Sequence, residues 1–174
     1  MSEGQQRIEN ILKKYLDDKK EKFIHFEEEN NEILDKLRFL RGAVFNHIKS
    51  QCPNPTKWLE KHGEINFDDK GINIKIFENI GNNADAFIQE FDICAQSNDF
   101  GLKSFFDEAN SKKSLILSNN QACLSKCVYL EKDKTDQDIY NCFSDCFDFS
   151  FLESDGIFRN IDKKIQDLRF SLKI

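Results

Sequence analysis

Helix-breaking residues are scarce in this chain: 2 prolines and 7 glycines in 174 residues. With 32% charged residues and a mean hydropathy of −0.61, that scarcity points to a soluble, helix-rich protein. Long apolar runs are missing too. No stretch approaches the roughly 18 consecutive apolar residues of a bilayer-spanning helix, so no transmembrane segment is expected. Positive charge is in deficit. The net charge is −6 and the pI is near 5.2, which argues against nucleic acid as a partner, because phosphate binding needs a basic stripe. Short basic runs such as KKEK at 19–22 sit among acids and read as solvated helix surface.

Several chemical signatures are absent as well. The start, MSEGQQRIEN, carries neither a basic-then-apolar leader nor an Arg-rich, acid-poor transit sequence. There is no Cys-x-x-Cys for thiol redox catalysis, no glycine-rich phosphate loop and no nucleophile motif. No carboxylate pair stands in an apolar setting that would tune an acid/base couple. His25, His47 and His62 have no ligand-like neighbours in sequence. No catalytic, cofactor-binding or metal-ligating residue is assigned, and the chain is expected not to be an enzyme.

What is plentiful is phenylalanine, with 17 copies, so apolar faces should be narrow and aromatic. The sequence predicts a mainly α fold. From about Gln5 to Ser50, apolar residues recur at helical steps: Ile8, Leu12, Tyr15, then Phe26, Ile33, Leu37, Leu40, Val44 and Ile48. The stripe weakens across DDKKEK, leaving one long helix or two with a break. Pro53 and Pro55 stop it. A short helix carrying Trp58 follows, with Thr56 as its cap and Gly63 as its end. Alternation of Ile72, Ile74 and Ile76 with polar residues predicts a β-hairpin at 65–77. A helix at 82–96 carries Phe87, Ile88 and Phe91. Another runs from about Leu102 to Leu130, with a break considered at NSKKS. Thr135 to Asp138 reads as a capping box for a helix bearing Ile139, Tyr140, Phe143, Phe147 and Phe151. Ser154 to Gly156 is expected to break or kink it before a last helix with Ile157, Ile161, Ile165 and Leu168. The division that follows is an N-terminal extension, 1–100, and a C-terminal helical hairpin, 101–174.

Four of the six cysteines form two Cys-x3-Cys units, Cys123 with Cys127 and Cys142 with Cys146, separated by residues 128–141. A chain of this length buries a core without staples, so bridges here would serve geometry or targeting. Residues four apart lie on one helix face. Folding the two helices antiparallel brings Cys127 to Cys142 and Cys123 to Cys146, as two nested rungs. Pairing inside a unit is poor, because residues four apart hold their Cβ atoms about 5–6 Å apart whereas a disulfide wants about 3.8 Å. Zinc is the competing reading, since three intervening residues fall within the range of structural sites, but the flanks lack the glycine-rich turns of zinc knuckles. Cys52 and Cys94 either pair with each other or stay buried free thiols. The free-thiol reading is preferred.

Twin Cys-x3-Cys units on a helical hairpin resemble the small Tim chaperones of the mitochondrial intermembrane space. The matching segments are ACLSKCVYL and NCFSDCFDFSFLE, within about residues 105 to 172. The resemblance implies a helix-loop-helix with Cys123–Cys146 and Cys127–Cys142 bridges, import by oxidative trapping without a cleaved presequence, and assembly with other small Tim-like subunits as a hetero-hexameric ring. It also implies a role in carrying apolar membrane-protein precursors. This chain departs from the family in carrying about a hundred residues before the hairpin. That extension equally suggests a resident structural subunit of a mitochondrial inner-membrane complex, such as a respiratory-chain assembly. The alternative is a zinc-stabilised or coiled-coil adaptor of the cytosol. Phe143, Phe147 and Phe151 recur every four residues as an apolar contact face. They are read first as hairpin-core or ring-interface packing, and second as a sticky face for apolar clients.

Overall fold

The computed structural model describes residues 2–68, 71–77 and 83–174. Six α-helices and a two-stranded antiparallel sheet make up the described residues, so the fold is mainly α. In chain order the elements are α1 (Glu3–Asp18), α2 (Lys20–Gln51), α3 (Pro53–His62), β1 (Gly63–Asp68), β2 (Gly71–Ile76), α4 (Asn83–Asn98), α5 (Leu102–Tyr129) and α6 (Asp136–Leu172). A short 3-10 turn, Leu130–Lys132, follows α5.

The N-terminal helical region is two helices. Ser2 caps α1: its Oγ accepts from the Gln5 N–H and the Gln5 side chain accepts from the Ser2 N–H, both at 3.1 Å. The break falls at Lys19, whose φ of −106° and ψ of 10° leave the helical region, inside the DDKKEK segment where the apolar stripe thins. Pro53 then opens α3 in its first turn, where a missing N–H removes no helical bond. Thr56 is not the cap. Cys52 holds that position, while Thr56 lies inside the helix, buried, its hydroxyl without a hydrogen-bond partner among the described residues. Gly63 ends α3 and begins β1. A Cβ there would fall on the carbonyl oxygen of Lys75, so the close approach of β2 requires glycine.

In the sheet Ile65 faces Ile74 and Phe67 faces Ile72. The turn residues Asp69 and Lys70, and Asn82 at the expected start of the next helix, lie outside the described residues. α5 runs unbroken through NSKKS. α6 runs unbroken through Ser154 to Gly156, contrary to the expected break. The reason is periodicity. Phe151, Phe158, Ile161, Ile165 and Leu168 continue one apolar stripe across the segment, and burying it outweighs the roughly 1 kcal/mol that an interior glycine costs. Gly156 is exposed, and a Cβ placed on it meets no neighbouring side chain within 4 Å. Gly156→Ala is therefore expected to raise the unfolding free energy by about 0.5–1 kcal/mol, seen as a higher urea midpoint by circular dichroism. A midpoint that falls would mean α6 needs a flexible residue there.

The chain divides into two compact units. One comprises Met1–Ile33 and Ala109–Asp162, the other Leu34–Glu108 and Lys163–Ile174. This differs from the division at 100/101 drawn from sequence. The first 33 residues belong with the hairpin, and the end of α6 belongs with the other unit. A split into contiguous halves follows composition and motifs, whereas compactness follows which faces bury one another.

In the first unit, Ile11 and Tyr15 of α1 bury themselves with Cys127, Ile139, Phe143 and Cys146. In the second, Leu37, Leu40, Val44 and Ile48 of α2 are buried, as are Leu59, Ile65, Phe91, Ile165 and Leu168. Trp58 stacks on Phe87 with ring centroids 4.4 Å apart, and Phe45 meets Phe67 at 5.2 Å. Cys52, at the start of α3, is disulfide-bonded to Cys94 of α4. The free-thiol expectation is thus overturned. The two cysteines are 42 residues apart, and no local spacing reports the packing of α3 on α4 that brings them together.

Candidate functional site: a doubly stapled hairpin

The second half of α5 and the first half of α6 form an antiparallel pair, and its turn is built locally. The Asp138 N–H donates to Thr135 Oγ1 at 3.1 Å, and the Thr135 N–H donates to Asp138 Oδ2 at 3.3 Å. This reciprocal cap starts α6. The Thr135 hydroxyl and N–H hold the Asp138 carboxyl below its ordinary pKa. Arg7 of α1 closes the turn from outside. Its guanidinium donates to the carbonyls of Glu131 and Lys134, the latter at 2.7 Å, and pairs with Asp136 at 2.6 Å. Nothing in the sequence singled out Arg7, because one arginine among many charges carries no periodic signal.

Two disulfides cross the pair. Cys127 is joined to Cys142, with Cα atoms 5.6 Å apart, and Cys123 to Cys146, with Cα atoms 5.8 Å apart. One turn further on, Ser150 donates to the Asn120 side-chain oxygen at 2.9 Å, so a hydrogen bond continues the ladder where the cysteines end. The Sγ atoms of Cys127, Cys142 and Cys146 lie within 4.8 Å of one another. As free thiolates these three are, among the described residues, a set that could hold a metal. Bonded as disulfides they have no thiolate to offer.

The phenylalanine stripe is covered by the chain itself. Phe143 is buried in the cysteine-lined core. Phe147 stacks on Tyr15 at 5.2 Å and meets Phe23 edge-on at 5.6 Å. Phe151 lies 4.9 Å from Phe23 and 4.8 Å from Phe26. α1 and the start of α2 therefore cover this face. Polar ties flank this contact: Lys22 with Asp148 at 2.9 Å, and the Tyr140 hydroxyl donating to Asp18 at 2.7 Å. Tyr15 and Phe26 were legible as periodic apolar positions, although their target was not.

No family model matches the chain, and neither a curated protein nor a solved structure matches it. The site must be read from its own geometry. The titrations that are displaced have structural causes. The Tyr140 phenol is raised by its bond to Asp18, and the Tyr15 phenol is pushed up to about 12, first by burial and then by Asp148 and Tyr140. A shallow depression of about 500 Å³ lies against Arg7, Lys14, Asp136 and Tyr140. Arg7 there is already committed to the turn, and Lys14 sits over the Tyr140 ring at 5.8 Å.

Tyr15 supports a sharp expectation. It is fully buried at 0% exposure, and its hydroxyl has no hydrogen-bond partner among the described residues. Tyr15→Phe keeps the ring contacts and removes an unsatisfied polar atom, so stability at neutral pH should rise by about 1 kcal/mol. The folded phenol also holds its proton above the ordinary value of 10.0. Its contribution is thus complete below pH 10 and is lost as pH climbs towards about 12. The loss is roughly 2–3 kcal/mol at 1.36 kcal/mol per unit. Denaturant midpoints measured against alkaline pH should fall less steeply for Tyr15→Phe than for the parent. Equal slopes would mean the phenol is solvated in the folded protein.

Proposed function

We propose that this chain is a non-enzymatic, small Tim-like protein of the mitochondrial intermembrane space, acting as a resident structural subunit of an inner-membrane, respiratory-chain complex in a hetero-oligomeric ring of small Tim-like partners. The observation that carries the reading is the pair of nested disulfides across an antiparallel hairpin whose turn is capped at the start of α6 and tied by Arg7. Bridges of this kind need an oxidising compartment, and the twin Cys-x3-Cys spacing is the family's. Between subunit and chaperone, the coverage of Phe143, Phe147 and Phe151 by the chain's own α1 and α2 favours the subunit, because that stripe is not open to an apolar precursor. On the hairpin unit, Phe149 and Leu152 stay exposed one turn apart on α6, and a neighbouring subunit would seat there. No helix among the described residues is long and apolar enough to cross a membrane, so attachment to the complex would run through protein contacts.

Native electrophoresis of mitochondria, with thiols alkylated at lysis, tests this. Comigration with a large inner-membrane complex and no alkylated hairpin cysteine are expected. A free soluble hexamer would move the reading to the chaperone. Four alkylatable hairpin thiols, or stoichiometric zinc released by a thiol reagent, would overturn the intermembrane-space reading in favour of a zinc-stabilised adaptor.

A further inference from the structure

The two rungs are asymmetric in the same way. Each joins a partly exposed cysteine to a buried one: Cys123 to Cys146, which is 2% exposed, and Cys142 to Cys127, which is 0% exposed. The two buried sulfurs touch, with Cys127 Sγ 3.6 Å from Cys146 Sγ. With both rungs closed neither sulfur carries a proton, so this is contact between sulfurs of different disulfides and not a hydrogen bond.

Thiol–disulfide exchange proceeds by attack of a thiolate on one sulfur with departure of the other. Of the two sulfurs in a rung, the one on the partly exposed cysteine is the more open to a reagent from solvent, and attack there expels the buried one. The expelled thiolate is then already against the buried sulfur of the second rung, close to the separation of reacting atoms in a near-attack arrangement, about 3–3.5 Å. We propose that two-electron reduction of the hairpin produces a diagonal disulfide, Cys127–Cys146, and presents Cys123 and Cys142 together as a dithiol.

The steps balance. One thiolate of an external dithiol attacks Cys142 Sγ. The Cys127–Cys142 bond breaks and Cys127 leaves as thiolate. Cys127 attacks Cys146 Sγ, the Cys127–Cys146 bond forms, and Cys123 leaves as thiolate and takes a proton from water. The second thiol of the reductant, as its thiolate, then attacks its own sulfur bound to Cys142. Cys142 is released and protonated, and the reductant becomes a cyclic disulfide. Entry at Cys123 expels Cys146, which attacks Cys127 and releases Cys142, giving the same product. Two disulfides and one dithiol become one buried protein disulfide, two protein thiols and one oxidised reductant. The hairpin stays cross-linked while offering an exchangeable thiol pair to a partner disulfide. This rests on the rung geometry alone and holds whatever assembly the chain joins.

Partial reduction of the intact protein with dithiothreitol, followed by acid quench, alkylation and peptide mapping, tests it. Trypsin cuts after Lys126 and separates Cys123 from Cys127; cleavage before Asp145 separates Cys142 from Cys146. The species that has gained two alkyl groups in the hairpin should carry them on Cys123 and Cys142, with the peptides of Cys127 and Cys146 linked. Alkyl groups on Cys123 with Cys146, or on Cys127 with Cys142, would overturn the proposal. So would passage from no hairpin thiols to four without a two-thiol species. The Cys52 and Cys94 peptides are mapped separately and do not enter the count.

Discussion

Alanine at all four hairpin cysteines is expected to lower the stability of the hairpin unit by about 5 kcal/mol, whereas opening either rung alone should cost only about 2 kcal/mol. Both figures follow from loop closure. The inner rung closes a loop of 15 residues and the outer one of 23. Once one exists, the second closes only the small ring formed by the two Cys-x3-Cys units. The rungs therefore substitute for each other, and the loss becomes large only when both go. Cys127 and Cys146 are also buried in the core with Tyr15 and Phe143, so the quadruple variant loses packing as well. A loss of this size is comparable to the whole stability of many domains. The measurement is a urea titration followed by circular dichroism on three variants: Cys123→Ala with Cys146→Ala, Cys127→Ala with Cys142→Ala, and all four. A quadruple variant as stable as the parent would mean that the α1, α5 and α6 contacts suffice without the bridges.

Removing the third bridge, with Cys52→Ala and Cys94→Ala, should cost about 4 kcal/mol, more than either hairpin rung alone. Its loop spans 42 residues and no other disulfide lies inside it, so the unfolded chain regains more freedom when it opens. The bridge ties the first residue before α3 to α4, the two helices whose Trp58 and Phe87 rings stack at 4.4 Å. Trp58 is the single tryptophan, so its fluorescence reads this contact directly. The double variant should show a lower urea midpoint by tryptophan fluorescence and a changed emission. An unmoved midpoint would mean that Leu59, Phe91 and the sheet hold the helices together unaided.

The two sets of cysteines differ in how far sequence could take them. In the hairpin, two equal spacings on predicted helices, with a capped turn between, place all four sulfurs by helix geometry, because positions four apart share a face whatever surrounds them. Cys52 and Cys94 have no such frame. One precedes a proline-opened helix and the other lies within α4, and their separation in sequence says nothing of separation in space. Thr56 shows the same limit at smaller scale. Threonine near a helix start suggests a cap, but Pro53 moves the start upstream and leaves Thr56 inside. Gly156 shows the reverse case. It is a local breaker set in an apolar stripe that continues on both sides of it, and burial of the stripe prevails.

By itself the sequence determined the elements. Few breakers and a helical period give long helices, alternation of Ile72, Ile74 and Ile76 gives the sheet, and Thr135 with Asp138 starts α6. These are short-range effects, carried by residues within one or two turns of each other. Only the tertiary structure decided what each face meets. It laid α1 and the start of α2 on Phe143, Phe147 and Phe151, and put Arg7 on the turn of the hairpin. It also bridged Cys52 to Cys94 and brought Cys127 against Cys146. The physical reason is that an amphipathic pattern states how much apolar surface must be buried and on which side. Burial itself is non-directional, so the partner is chosen by shape and by the distant residues that the chain brings within reach.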